Sequence, residues 1–520
     1  MGRSRAFVTL RLMRTTTFAR LTTAGLVLSA LFTATPAAGS AETGGIELSF
    51  LGRYSAGSVG TSAAEIPAYD PATRRVFVVN AQAGTVDVLD LRDPRRPRKV
   101  TTLATPGANS VAVHGRMLAV AQQAEAKTEP GSVAFFDTRT GRKLRQVTVG
   151  ALPDMLTFTP DGRQVVVANE GEPTSYCDDQ VNDPEGSVSI VDVRRGTVRT
   201  ADFRAWNGRE DELRAKGVRI SGPKASAAQD LEPEYVTVEG DTAWVTLQEN
   251  NALAVVDLRR GTVRDLAPLG LKDHAAAGNG LDASDKDDKI DIRPHPVKGM
   301  YLPDAIADFR SRGRTYLVTA NEGDTRDWDC YTDEVRVKDL KLSSSAFPDA
   351  AELQKDTELG RLTVAADSPK DADGAHTALH VFGTRSLSIR SASGELVWDS
   401  GDELERLIAR ELPEHFNTDN EEDDFDSRSD NKGPEPEGVT VGTIKGRTYA
   451  FVGLERVGGI VAYDVTDPRR PRLADYVNTR DGDLGPEGLA FVPAHDSPTR
   501  RPLLIVGNEV SGTTSTYEIR

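Results

Sequence analysis

The stretch "LPDAIADFRSRGRTYLVTANEGDTRDW", residues 302–328, decides the fold once it is set beside "LPDMLTFTPDGRQVVVANEGEPTSY", residues 152–176. Each opens with proline and a carboxylate. An apolar alternation follows, then a polar turn, then a second apolar run that ends in Asn-Glu-Gly. Alternation with a period of two is the mark of a half-buried strand, and turns such as "TPDGR" carry the residues that reverse a chain. The unit is therefore a β-hairpin with an acid at each end.

The same unit recurs. It starts at Ile66 ("IPAYDPATRRVFVVN"), Ala108 ("ANSVAVHGRMLAVAQQ"), Leu152, Leu231 ("LEPEYVTVEGDTAWVTLQENN"), Leu302, Pro434 ("PEPEGVTVGTIKGRTYAFVGLE") and Leu484 ("LGPEGLAFV…RRPLLIVGNE"). A third apolar run, such as "SIVDV" or "AVVDL", follows most of the hairpins, and a weaker fourth run is expected after it. Four-stranded antiparallel units repeated around an axis are propeller blades. The expected fold class is all-β: a seven-bladed β-propeller spanning 42–520, with insertions at about 272–299 and 327–432. The last unit stops at its third strand, "TSTYEI", and "IELSFLGRY" from Ile46 is the spare strand expected to complete it and close the ring. An open sandwich array is the alternative, but it leaves two exposed sheet edges.

Residues 1–41 stand apart. Five arginines precede the short apolar run "LTTAGLVLSALF" and the small residues "TPAAGSA", the layout of a secretory signal peptide. An uncleaved anchor is the alternative, although the run is short for a bilayer span. There is no Arg-Arg pair here, which favours general secretion over the twin-arginine route. No later run is long enough to cross a membrane. The formal charge of −16, with no basic stripe, argues against nucleic acid as a partner. The two cysteines, Cys177 and Cys330, are expected to form a disulfide in an exported protein, two free thiols being the alternative. Each follows an Asn-Glu element, in blades three and five, so a bridge passes over blade four or across the mouth.

In an antiparallel pair the start of one strand lies beside the end of the next. The two acids of each unit therefore share one face, near the mouth of the channel: Asp154 with Glu170, Glu234 with Glu249, Asp304 with Glu322, Glu437 with Glu455, Glu487 with Glu509. Blades one and two carry Ala68 with Gln82 and Asn109 with Gln123 at these places. Crowded carboxylates need cations, donors or shared protons, and calcium takes six to eight oxygen ligands. Asp154, Glu170, Glu234, Asp304, Glu322, Glu437 and Glu509 are the candidate metal ligands, with calcium the expected cofactor. The alternative is structural, each acid accepting backbone N–H groups that tie blade to blade. "GNGLDASDKDDKIDI", residues 278–292, resembles a calcium loop but misses the EF-hand pattern, and a solvated acidic loop is the alternative. The loop "DNEEDDFDSRSDNKG" is expected to order only on meeting a cation or partner. "DPRRPR", at Asp93 and Asp467, reads as an outer turn with solvated arginines. No Ser-His-Asp or Cys-His nucleophile arrangement is evident.

"ANEGEPT", "ANEGDTRDW", "DEVRVKDL", "FDSRSDNKGPEPEGVTVG" and "VGNEVSGTTSTYEI" together resemble the choice-of-anchor I family, exported β-propellers related to mesenchyme-specific cell-surface glycoproteins. The likeness covers nearly all of the chain after the signal. It implies an extracellular propeller. The chain departs from it in ending at the domain without an anchor, so a freely secreted monomer is the expectation. Two functions compete. The first is a binding or scaffold protein with an acidic, calcium-binding channel face and an extracellular ligand. The second is a calcium-dependent phosphoesterase, because some related proteins are described as alkaline phosphatases and "PEGVTV" and "PEGLAF" are similar to propeller phytases. Arg326 is then the candidate clamp on the phosphate ester.

Overall fold

The computed structural model describes residues 45–520 apart from 58, 61, 178–181 and 421–423. The expected signal peptide lies outside the described residues. The described residues form seven four-stranded antiparallel sheets. Their innermost strands are Pro67–Asp70, Ala108–His114, Pro153–Phe158, Pro233–Glu239, Ile306–Ser311, Pro436–Ile444 and Pro486–Val492. Each inner strand packs against the next, and that of blade seven lies against that of blade one. The sheets remain separate, with no ladder of strand hydrogen bonds passing between blades among the described residues. Leu48–Ser55 pairs with Thr513–Ile519, so blade seven takes its fourth strand from the N-terminal end.

The sequence explains the order of strands within a blade. Middle strands such as Gln164–Asn169 are buried along almost their whole length, because they face neighbouring blades on both sides. Outer strands such as Arg98–Ala104 are mostly exposed and polar. Inner strands can begin with proline because their inward edge has no partner needing its N–H. Glycine after the acid in "PEG" answers a close approach. A Cβ on Gly438 would stand 1.7 Å from the Glu487 carbonyl oxygen of the next blade, and one on Gly488 would stand 2.5 Å from Pro67 Cδ. Gly438→Ala is therefore expected to cost at least about 2 kcal/mol by forcing blades six and seven apart, read from urea melts.

The segment 327–432 contains, as its strand-like runs "ALHVFGTRSLSIR" and "GELVWDS" suggest, the outer half of blade five. Ser386–Ser391 and Leu396–Asp399 are the third and fourth strands of blade five. The extra chain lies on either side of them, at 322–385 and 400–435, and includes the helix Glu403–Glu411. The first insertion is anchored by Leu271–Asp273 paired with Lys298–Met300, which runs parallel to His380–Val381. A further connection, not foreseen, joins blades three and four through the helices Glu210–Lys216 and Ala227–Asp230. No helix among the described residues is long and apolar enough to cross a membrane.

Strand directions separate charge. The acids gather where inner strands begin. Arg95, Arg96, Arg469 and Arg470 of the two "DPRRPR" turns are exposed at the opposite end, between third and fourth strands.

Candidate functional site

A repeated backbone device builds the acidic mouth. The residue before the inner strand adopts positive φ: Leu152 (42°), Leu302 (43°), Glu435 (47°), Gly107 (67°) and Gly485 (66°). Its carbonyl then accepts an N–H from the end of the second strand: Glu170 to Leu152 (2.9 Å), Glu455 to Glu435 (2.9 Å), Glu509 to Gly485 (2.7 Å) and, one residue later, Gly323 to Leu302 (3.0 Å). This bond holds the two acids of a blade side by side. The asparagine before the second acid locks the strand top from the other side. Asn169 Nδ2 donates to Ser187 Oγ and Ser189 Oγ, Asn321 Nδ2 to Ser386 Oγ and Ser388 Oγ, and Asn508 Nδ2 to Thr513 Oγ1 and Ser515 Oγ. Asn-Glu is thus a buried anchor followed by a projecting charge.

Blade one needs a correction. Glu65 N–H donates to the Val79 carbonyl and Val79 N–H to Ile66, which extends the inner strand upward past Pro67. Glu65, not Ala68, is level with the top of that blade. Burial, with Glu509 and Asp154 nearby, pushes its carboxyl up to about 8. The pattern of proline followed by an acid does not reveal it, because here the acid stands two residues ahead of Pro67. In blade two, Asn109 Nδ2 donates to the Pro153 carbonyl at 3.1 Å.

The arc has two unlike halves. On the side of blades five and six, Glu322, Glu435 and Glu455 bring carboxylate oxygens within 4.8 Å of one another. The cation beside them is the Lys432 ammonium, 3.0 Å from Glu322, 3.1 Å from Asp324 and 3.2 Å from Glu435. Gln248 Nε2 donates to the other Glu322 oxygen at 2.9 Å. Arg428 and Arg456 complete the neutralisation of Glu435. Despite full burial, Lys432, Arg428 and Arg456 hold the Glu435 carboxyl down at about 2. Glu322 is thus committed to a lysine and an amide.

The other half lacks such partners. Glu234 and Glu249 are 7% exposed, and one oxygen of each is buried with no hydrogen-bond partner; the same holds for one oxygen each of Glu232, Glu437 and Glu487. Burial pushes Asp154 up to about 7, helped by Glu172. It raises Glu249 to about 7 against the opposing pull of Arg326. Glu170, Glu234, Asp304, Glu437 and Glu487 are pushed well up by burial and by neighbouring acids. The Tyr235 phenol is raised by burial and by Asp304, Glu487, Asp154 and Glu437. Glu509 accepts a bond from Ser62 Oγ at 2.5 Å.

A cleft of about 410 Å³ spans both halves, lined by Glu170, Glu234 and Glu249 together with Arg428, Lys432 and Arg456. Arg326 also lines it, but it is not a free clamp. Its guanidinium donates to Ser221 Oγ (2.8 Å), the Asp230 carbonyl (2.7 Å) and Glu232 Oε2 (2.7 Å), and the residue is 2% exposed. Cys177 and Cys330 are bridged, with Cα atoms 5.1 Å apart. Tyr176 and Tyr331 meet edge to face beside the bridge, and the Tyr331 hydroxyl donates to the Ser221 carbonyl. The bridged loops of blades three and five therefore strap down the segment leading into blade four.

A 190-residue region is 33% identical to Gigasin-3a of Magallana gigas, covering 32% of this chain and 67% of that protein. A 369-residue region is 27% identical to a mesenchyme-specific cell surface glycoprotein of Strongylocentrotus purpuratus, covering 62% of this chain and 46% of that protein. Among solved structures, hydrazine synthase of Kuenenia stuttgartiensis superposes with a TM-score of 0.47 at 13% identity, over 89% of this chain and 97% of that one. The profile of the choice-of-anchor I domain matches residues 65–468. With that span and the seven sheets in hand, the chain belongs to the choice-of-anchor I family.

Proposed function

We propose that the protein is an extracellular binding propeller whose mouth takes calcium on Glu170, Glu234 and Glu249. The observation that carries this reading is the pair of buried, unpartnered oxygens on Glu234 and Glu249. A buried carboxylate without donor or cation is unfavourable, and an oxygen-only set suits a hard cation that accepts irregular geometry. The disulfide and the likeness to a cell-surface glycoprotein support an extracellular setting. Bound calcium would neutralise the acids of the mouth and offer open coordination positions to an anionic group of a ligand.

The cleft's arginines favour one further reading, hydrolysis of a phosphate ester. Arg428 and Arg456 keep 19% and 27% of their side chains exposed beside the carboxylates. They would orient a phosphate, while calcium would supply charge neutralisation and a more acidic water. Calcium titration of the chelator-stripped protein is expected to show an equivalent that the Glu234→Gln, Glu249→Gln double variant lacks. Hydrolysis of p-nitrophenyl phosphate, measured in parallel, separates the readings. No turnover leaves the binding protein, and calcium-dependent turnover lost in the double variant establishes the esterase. Equal calcium counts in the two proteins would overturn both.

A further inference from the structure

Asp282 of the first insertion and Asp426 and Ser429 of the second meet in one buried cluster. Its hub is Arg385, 4% exposed. Arg385 Nη1 donates to the Asp282 carbonyl (2.6 Å) and to Glu405 Oε1 (2.7 Å), and Nη2 donates to the carbonyls of Ser429 (2.7 Å) and Asn431 (2.8 Å). Asn417 Nδ2 donates to Glu405 Oε1 and to Ser429 Oγ, both at 2.8 Å. The Ser429 hydroxyl in turn donates to Asp426 Oδ1 at 2.5 Å.

These bonds spend the cluster's donors, yet Glu405 Oε2, Asn417 Oδ1 and Asp426 Oδ2 have no partner among the described residues. Their residues are 1%, 0% and 2% exposed. Asp282, also 1% exposed, adds a third buried carboxylate against a single buried guanidinium. Three acceptor-only oxygens and an excess of buried negative charge call for a cation rather than for another hydrogen-bond donor. Burial, with Asp282, Asp287 and Glu405 nearby, pushes Asp426 up to about 8 without one.

We propose that Glu405, Asn417 and Asp426 hold a structural calcium ion, separate from the mouth and independent of the reading given for it. Two carboxylates and an amide leave room for the carbonyls and waters that fill calcium's shell, and a mixed, irregular set of this kind is poorly matched to magnesium. The ion staples Asn417 and Asp426 to Glu405 of the helix Glu403–Glu411. Asp426 lies just ahead of Arg428, Lys432 and Glu435, so the ion also fixes where the cations of the mouth stand.

The test uses the full chain, stripped by chelation and returned to calcium on the order of 1 mM, the range in which extracellular modules bind. Asp426→Asn keeps the shape and removes a buried charge. It is expected to be at least as heat-stable as the unaltered protein in chelator, to lose one calcium equivalent, and to lose most of the calcium-induced rise in Tm. The Glu234→Gln, Glu249→Gln variant is expected to keep this equivalent and the rise. Protease cleavage within 424–431 is expected to slow with calcium in the unaltered protein and not in Asp426→Asn. The proposal falls if Asp426→Asn binds as many calcium ions with the same rise in Tm. It falls equally if calcium changes neither Tm nor cleavage in the unaltered protein.

Discussion

Replacing Lys432 with methionine is expected to remove about 3–5 kcal/mol of folding stability in the presence of chelator. The lysine is buried, and its ammonium is the shared cation of Glu322, Asp324 and Glu435. Taking it away leaves those carboxylates facing one another with only Arg428 and Arg456 at the edge. The second half of the expectation is rescue. Glu322, Glu435 and Glu455 already converge within 4.8 Å, so the vacated position is a three-carboxylate nest for a divalent ion. Calcium is expected to restore a large part of the loss in Lys432→Met and to add little at that spot in the unaltered protein. Urea melts with and without calcium read both effects. A loss under about 1 kcal/mol would mean that the lysine is not the balancing charge.

The second large effect is on pH. Glu65 and Glu455 are held at about 8, Asp154 and Glu249 at about 7, well above the values of an unfolded chain near 4. Over that interval the folded protein binds more protons than the unfolded one, so stability is fullest below pH 4 to 5 and declines as pH rises towards 8. Glu435 acts in the opposite sense. Held down at about 2, it contributes stability above the usual carboxylate range that is lost as pH falls through 4 towards 2. In chelator, Tm is therefore expected to peak in mildly acid solution and to fall between pH 5 and 8. Calcium is expected to flatten that fall, because a cation on the ionised carboxylates takes the place of the proton. A curve that is flat from pH 5 to 8 in chelator would show that the acids are neutralised by other means.

The blades were legible because each is written locally. Proline, alternation, turn and Asn-Glu fall within some twenty residues, and the pairing of Pro153 with Asn169 or Pro436 with Leu454 follows from antiparallel geometry alone. The same locality made Asp154 and Glu170, or Glu437 and Glu455, readable as one face. What neutralises that face was not legible. Lys432 reaches Glu322 across 110 positions of sequence, and Arg326 reaches Glu232 across 94. Neither position carries a periodic signal, since both belong to the chain added around blade five. Glu65 escaped for another reason: the acid stands two residues ahead of Pro67, and only the Glu65–Val79 backbone bond reveals its height. The order around Asp426 and Ser429 was not legible because it depends on Arg385 and Asn417, which lie outside the acidic run.

The most direct test of the account is a crystal structure of the protein grown with calcium, with anomalous scattering recorded to locate the ion. The account expects a peak in the cleft of blades three and four, with oxygens of Glu170, Glu234 and Glu249 at about 2.3–2.6 Å. A mouth without a peak, in which Glu234 and Glu249 instead accept N–H groups of neighbouring blades, would contradict it and return the acids to a purely architectural role.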